Sequence, residues 1–589
     1  MQGMPISGAE TAVPSLPPDP DSVSRPEVPP DPGRRARRRR RGAAAAAIAG
    51  ATALIAAHGA YYRYWIVDDA AVTFAYARTI GEGHGISLQA GAPSVEGYSN
   101  TTWLVLLLIG RALGLFDQGA VAGFPDYVLF PKLLAVVCCL GTVAAMYRAA
   151  ACMVSRPAVV TFAAGAVLAA VPSYVIWCFS GLENSLYAML VAWLAAVMVR
   201  ARADRTLEQR TPAIACGLLA CAAALTRPDG AIYAAAFPLL VLLAPGFSAA
   251  RVRSAAVSAL AFAVPFGAFL LWRYANWGLW LPNTAVAKDQ GLPSPADLAK
   301  VGELVGYVGW PAVLVGVGLI GVALGRPSRL RGLLPGLLIP LALALAGYAV
   351  LQADWMLQWR FATPVWPLAA LAVAVCAADA LGRGDLPRRA AVVAVLTATA
   401  IFSGTLCAQA AERFHDNPTF PVCWVADRYG RSFNGLADIA GLDDKATFLI
   451  PDMGGTALTS RLRLVDFAGL ADAEIARYYH EGDLSGLRDH VFETVRPTFI
   501  RTGGAWWGNG TGLANDPRLE RDYEVLQRDR YDVDGRTYLR KGVVASPEVM
   551  ERLRVAAAQD AHRAMRDAGA DPLRACGPDM RAGQTDAKG

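Results

Sequence analysis

Between about residues 42 and 410, apolar residues fall into blocks of about 16 to 22, rich in Ala, Leu, Val and Gly and separated by short charged stretches. A hydrocarbon core about 30 Å thick takes roughly 20 helical residues to cross. The blocks therefore predict spans at 43–62, 131–150, 157–176, 185–201, 211–226, 231–246, 254–273, 304–323, 333–351, 364–382 and 390–409. A further apolar stretch, 101–116, reads as a re-entrant or interfacial helix, because a full span there moves Arg148 and Arg156 to the other side and inverts everything downstream. After residue 410 the pattern becomes that of a soluble protein. Ala446–Ile450, Leu462–Phe467, Thr498–Arg501 and Thr537–Leu539 predict strands, and Ala471–Tyr479 and Pro547–Ala568 predict helices. The reading is an α-helical polytopic membrane protein with about eleven transmembrane helices, interfacial helices in its first outer loop and a C-terminal extracytoplasmic α/β domain. Its parts are a disordered basic cytoplasmic tail (1–42), the transmembrane domain (43–410), the α/β domain (411–569) and a polar tail (570–589). No internal repeat is visible.

Composition agrees. The chain is 54% hydrophobic and 18% charged, more apolar than an ordinary soluble protein. Seven arginines crowd the eight positions Arg34–Arg41. A nucleic-acid site is one meaning of such a run, but its place directly before the first apolar block makes it a cytoplasmic retention signal. No nucleic-acid partner is expected. Arginines recur in alternate loops, at Arg148 and Arg156, Arg200–Arg210, Arg251 and Arg253, Arg326–Arg331 and Arg383–Arg389. By the positive-inside rule these loops are cytoplasmic. An odd number of spans then puts the N-terminus inside and residues 411–589 outside, in a multi-pass plasma-membrane protein. No small-residue cleavage site follows the first block, which reads as a retained span. Seven of the ten cysteines lie in or beside spans as small apolar residues. Cys423 and Cys576 lie in the C-terminal region and are able to close a disulfide if that region is extracytoplasmic, although one sequence does not set connectivity.

The candidate chemistry begins at Trp65-Ile66-Val67-Asp68-Asp69-Ala70, two adjacent carboxylates just beyond a span. One account is a helix cap plus a solvated acid. The other is functional: one carboxylate acts on a substrate hydroxyl, and its neighbour keeps the site acidic and raises its pKa. The loop continues through Phe74-Ala75-Tyr76-Ala77-Arg78, an amphipathic helix, then Gly81 to Gly85 and Val95-Glu96-Gly97-Tyr98-Ser99-Asn100. Arg227, Arg273, Lys288 and Arg360 fall at outer membrane edges, where a lipid phosphate would lie. Arg offers planar bidentate donors for phosphate and Lys a compact charge, while the plain alternative is interfacial anchoring by snorkelling stems. Trp65, Trp103, Trp272, Trp277 and Trp280 fit an interfacial aromatic belt. His84 fits a solvated turn, Trp506-Trp507 either packing or a glycan platform, and Asn509-Gly510-Thr511 a glycosylation acceptor pattern.

The first loop resembles that of the GT-C class of membrane glycosyltransferases, and within it the actinobacterial terminal β-(1→2) arabinofuranosyltransferase group, which uses decaprenyl-phosphate arabinose. Ser180-Gly181-Leu182-Glu183-Asn184, Leu225-Thr226-Arg227-Pro228-Asp229-Gly230, Pro282-Asn283-Thr284 with Lys288, Asp354-Trp355-Met356 with Arg360-Phe361, and Asp466-Phe467-Ala468-Gly469-Leu470-Ala471-Asp472 extend the likeness over about residues 60–480. The resemblance implies a GT-C-like fold, catalytic Asp68 and Asp69, and donor-phosphate contacts from Arg227, Arg273, Lys288 and Arg360. It implies substrate contacts from Glu96, Tyr98, Asn100, Glu183, Asn283 and Asp354. The expected reaction moves a sugar, arabinofuranose before mannose, from a polyprenyl-phosphate donor in the membrane lipid to a cell-envelope glycan. No cofactor is certain; Asp68 and Asp69 suit a divalent cation without further evident ligands, so the metal is unknown. Rival classes are a flippase of lipid-linked sugars and an inactive relative serving as scaffold. A transporter places polar groups at mid-membrane, often in repeated halves, whereas here the spans are nearly free of ionisable residues.

Overall fold

The computed structural model describes residues 32–246, 248–288, 294–352, 354–503, 510–529 and 535–587; the tail up to residue 31, Trp506-Trp507 and Asn509 lie outside the described residues. Every predicted apolar block contains helix. Six helices are long and apolar enough to cross a membrane unbroken: Arg38–Tyr61, Asp126–Met153, Asn184–Ala203, Ala249–Trp277, Val365–Arg383 and Leu386–Asp416. Two further blocks are broken. Pro157–Ala170 and Pro172–Cys178 meet at 81°, and Pro295–Val308 and Trp310–Gly325 at 102°. Both second halves start on a proline near their first turn, which supplies no N–H to the preceding helix and clashes with it. Arg210–Thr226, Pro228–Leu242 and Pro335–Val350 are shorter apolar helices, as is Thr101–Ala112. The protein is a multi-pass membrane protein, with fewer uninterrupted spans than the eleven apolar blocks suggest.

The first loop is held from both sides. Its entry segment at 66–68 makes a hydrogen bond from Val67 N–H to the Ser180 carbonyl (3.0 Å), one from Asp68 N–H to the Phe420 carbonyl (3.0 Å) and one from Val422 N–H to the Ile66 carbonyl (3.0 Å). The helix Asp68–Gly81 that follows was expected to be amphipathic along the membrane surface. Instead Ala70, Ala71, Phe74, Ala75, Tyr76 and Ala77 are all buried, because protein covers both of its faces. Its alanines permit that close double contact. Trp65 and Trp103 are likewise 1% exposed. They donate to the Thr419 carbonyl (3.0 Å) and the Gly181 carbonyl (2.9 Å), so neither belongs to an interfacial belt, whereas Trp272 and Trp280 are exposed.

After the last spanning helix a five-stranded mixed sheet forms from β1 (Thr447–Ile450), β2 (Arg463–Asp466), β3 (Phe499–Arg501), β4 (Tyr523–Arg528) and β5 (Arg536–Arg540), in the order β2-β1-β3-β5-β4. β1 runs parallel to both β2 and β3, and β5 antiparallel to β3 and β4. Four of these strands coincide with the predicted ones; β4, which opens Tyr-Glu-Val-Leu-Gln-Arg, carries too little apolar alternation to announce itself. Residues that follow the carboxyl ends of β1 and β2 meet the membrane part: Gly454 and Gly455 touch Asp68, and Gly469 and Leu470 accept from Asn283. One buried cluster is continuous from Trp65, Val67 and Ala70 to Val422, Ala426 and Leu458. The stretch after Ala570, polar in sequence, is a packed strap. Leu573, Cys576 and Met580 are buried, Arg78 donates to the Met580 carbonyl (2.7 Å), and Tyr127 Oη accepts from Cys576 N–H (2.8 Å). A disulfide joins Cys423 to Cys576 across a Cα–Cα distance of 4.9 Å.

Candidate active site

Asp68 and Asp69 open the helix Asp68–Gly81, and successive residues on a helix diverge by about 100°. They consequently serve different neighbours. The Asp68 carboxylate, 6% exposed, accepts from Gly454 N–H (3.1 Å) and Gly455 N–H (2.7 Å). A Cβ at Gly454 would lie 2.0 Å from the Asp68 carbonyl oxygen, so only glycine allows this approach. Burial pushes the Asp68 carboxyl well above its usual range, against the two N–H donors and with help from the charges of Asp452 and Asp69. Asp69, a third exposed, faces a cavity of about 230 Å³. Burial raises its pKa too; Arg360 and Lys288 oppose that rise, and Asp354 and Glu183 add to it.

Tyr98, Asn100, Glu183, Arg227, Lys288 and Arg360 line the same cavity, and Asp229, Phe361 and Leu470 are also in its wall. The Arg360 guanidinium lies 3.8 Å from Asp69 and 2.9 Å from Asp354. Its backbone is fixed by a bond from Asn184 Nδ2 to its carbonyl (3.2 Å), and the two preceding residues, Gln358 and Trp359, both take positive φ (67° and 49°). Non-glycine residues adopt that region at a cost, which here turns the chain so that Arg360 enters the cavity. Arg227 pairs with Asp229 (2.9 Å) and Glu183 (3.2 Å) and lies over the Phe361 ring, 4.6 Å from its centroid. Glu183 in turn accepts from Asn100 Nδ2 (2.9 Å). Gly181, at φ 90°, lets the turn before Glu183 press against Ile66 and Ala70. Lys288 ends the short helix Asn283–Lys288, and burial lowers its pKa against the pull of Asp69.

No family model matches the chain. The terminal beta-(1->2)-arabinofuranosyltransferase of Mycobacterium tuberculosis is 27% identical over 300 residues, 48% of this chain and 45% of that protein; the chain thus aligns with under half the length of this relative. Among solved structures, ArnT from Cupriavidus metallidurans in the apo state superposes with a TM-score of 0.51 at 14% identity, over 84% of this chain and 97% of that one. Archaeal oligosaccharyltransferase AglB from Archaeoglobus fulgidus gives a TM-score of 0.46 at 10% identity, over 77% of this chain and 69% of that one. The fold is GT-C-like.

Within this GT-C-like fold, the residues singled out in the sequence divide into two sets. Asp69, Tyr98, Asn100, Glu183, Arg227, Lys288 and Arg360 come together at one cavity. Asp68 turns to Gly454 and Gly455. Arg273 and Glu96 do not line the cavity; they are buried against each other (2.5 and 3.0 Å), with Arg273 also donating to the Trp280 carbonyl (3.1 Å). Arg273 and Glu96 thus direct their charges at each other, away from the cavity. Asn283 is spent on the Gly469 and Leu470 carbonyls (2.8 and 2.9 Å), and Asp354 holds Arg360 from outside the cavity lining. The elements that carry Asp68, Glu96, Arg273 and Asn283 therefore position the cavity wall. Asp452, which no sequence motif singles out, and Leu470, named above only within the motif Asp466 to Asp472, come from the C-terminal domain. Asp452 lies two residues after β1, and burial raises its carboxyl to about 6, with Arg501 opposing and Asp69 contributing. Its only sequence signal was an acid at the carboxyl end of a parallel strand, where crevices form in α/β sheets. Among the described residues no group of three or more His, Cys, Asp or Glu is arranged to hold a metal ion.

Proposed function

We propose that the protein is a glycosyltransferase that moves a sugar from a polyprenyl-phosphate donor to a cell-envelope glycan at the outer face of the plasma membrane. The observation that carries the reading is the Asp69–Arg360 approach of 3.8 Å inside a cavity that also holds Arg227 and Lys288. Of the three carboxylates and three cations at this cavity, Glu183 and Asp229 are held by Arg227, which leaves Asp69 facing Lys288 and Arg360. That set matches a reaction that needs a base at the acceptor and positive charge at the leaving phosphate. In this mechanism Asp69 takes the proton of the acceptor hydroxyl, whose oxygen bonds to the anomeric carbon. The bond from that carbon to the phosphate oxygen breaks, and the polyprenyl phosphate departs with its new charge facing Lys288 and Arg360. Asp68 is a positioning residue: by capping Gly454 and Gly455 it locks the helix that presents Asp69. Arabinofuranose is the favoured sugar, supported by the likeness to the Mycobacterium tuberculosis arabinofuranosyltransferase, with mannose the next candidate. The arginine-rich alternate loops support a cytoplasmic N-terminus and an extracytoplasmic C-terminal domain.

The test is purified protein with polyprenyl-phosphate arabinose or mannose and an arabinan acceptor, scored for free lipid phosphate and extended glycan together. Asp69→Asn is expected to lower kcat by about 100-fold or more, the usual worth of a positioned base, with donor binding retained. Lys288→Met is expected to raise the donor KM. A flippase would move the donor across vesicles without splitting it. Undiminished turnover in Asp69→Asn, or transport without cleavage, removes the assignment.

A further inference from the structure

Arg360 and Phe361 also form part of the wall of a second cavity, of about 480 Å³, about twice the one that Asp69 faces. Two of its boundaries are membrane helices: Lys300 and Tyr307 come from the broken pair Pro295–Val308 and Trp310–Gly325, and Arg413 and Phe414 from Leu386–Asp416. Only 6% of the apolar window of Leu386–Asp416 is buried within the protein, so this window faces lipid, while Ala410 and Phe414 near the end of the helix are buried at the cavity. Leu357, a lining residue, is 58% exposed and extends the apolar wall outward.

The polar side of this cavity is unbalanced. Lys300 is 7% exposed, and its Nζ has no hydrogen-bond partner among the described residues. The Tyr348 ring, 5.6 Å away, offers it only a cation–π contact. Of the acids near it, Glu303 and Asp297 act on Lys300 by charge but neither hydrogen-bonds it; Glu303 accepts from Trp359 Nε1 (2.7 Å), and Asp354 pairs with Arg360 (2.9 Å). A buried ammonium without an acceptor is costly, and proteins keep one where a ligand supplies the missing anion. Aromatic walls, an opening toward lipid and a buried ammonium without a hydrogen-bond acceptor together specify an anion carried on an apolar chain.

We propose that this second cavity binds the phosphate headgroup of an anionic lipid, with Lys300 as its buried counter-ion, Arg413 as a second cation and the tail leaving over Leu357 along the last spanning helix. The site is separate from the one that faces Asp69, although Arg360 belongs to the walls of both. A phosphomonoester such as a polyprenyl phosphate and a phosphodiester such as a membrane phospholipid share the required chemistry.

Native mass spectrometry of the full chain in detergent, titrated with farnesyl phosphate, dihexanoyl phosphatidylglycerol or farnesol, decides the matter. For farnesyl phosphate the expectation is two bound molecules in the wild type, one in Lys300→Met and one in Lys288→Met, with Lys300→Arg restoring the second. The lost molecule should bind about tenfold or more weakly, the effect of removing a charge-assisted hydrogen bond. Phosphatidylglycerol filling the Lys300-dependent site in preference to farnesyl phosphate identifies the source as a membrane phospholipid. Retention of both farnesyl phosphates in Lys300→Met, or equal binding of farnesol at the Lys300-dependent site, overturns the proposal, while loss in Lys288→Met alone leaves the reaction cavity standing without it. A measurement on the wild type guards against misfolding of the variants: a photoactivatable farnesyl phosphate should crosslink within 354–361 or 407–416, and crosslinks confined to the Asp69 cavity count against the site.

Discussion

At the residue scale, burial decides what each carboxylate does. Asp69 keeps partial access to its cavity and meets Arg360 and Lys288, whereas Asp68 is enclosed with two backbone donors. A raised pKa in a base means that it loses its charge earlier as the solution becomes acidic. Transfer by the wild type should therefore fall off on the acid side at a pH above the ordinary carboxylate pKa of about 3.9. Asp466 shows the same physics without chemistry. It accepts from Ala468 N–H (2.9 Å) and Ala471 N–H (2.7 Å), yet burial raises it to about 7. Its folded pKa lies above its unfolded value, so its contribution to stability is fully present below about pH 4 and is lost as pH rises through about 7. Thermal melts at several pH values between these limits should show wild-type stability declining from this group, and a flatter profile in Asp466→Asn. Equal profiles would mean that Asp466 does not titrate in this range.

At the element scale, the helix Gly454–Thr459 is the joint between the two halves of the molecule. Its first two residues donate to Asp68, and Cβ atoms there would meet the Asp68 carbonyl at 2.0 Å and the Val422 carbonyl at 2.5 Å. Gly454→Ala should force these surfaces apart and expose Asp68 without its partners, at a cost of about 1–3 kcal/mol for the lost buried bonds. Limited proteolysis should then cut the segment after residue 416 faster than in the wild type, and unchanged protection would contradict the joint. Short range explains which elements were readable beforehand. Apolar blocks and β1, β2, β3 and β5 follow from local pattern, while the breaks at Pro172 and Gly309 depend on where a proline or a positive-φ glycine meets its neighbours. Of the strap after Ala570 the sequence offered only the candidate Cys423–Cys576 disulfide, which the structure contains; its packing was unreadable, since Cys576 and Met580 are isolated apolar residues that meet partners over 400 residues away, Tyr127 and Arg78.

At the scale of the whole molecule, the C-terminal domain closes over the first loop and contributes Leu470 to the cavity and Asp452 beside it. That arrangement requires both parts on one side of the membrane, and from the arginine distribution we propose that this side is the outer one. A cysteine introduced by Arg477→Cys, at an exposed position of the C-terminal domain, should react in intact cells with a membrane-impermeant maleimide; one introduced by Arg388→Cys should react only after lysis. The reverse pattern would invert the topology. The sequence by itself determined that the chain is a helical membrane protein with a mixed α/β end, because hydropathy and strand alternation are local properties. It also indicated which polar residues crowd the loops, because charge near a span is conspicuous. Only the tertiary structure decided that Asp69 and not Asp68 faces the cavity, that Arg273 is spent on Glu96, and that Arg360 stands between two cavities. Those outcomes turn on the direction of a side chain and the identity of a distant partner, and both are settled by packing across hundreds of residues.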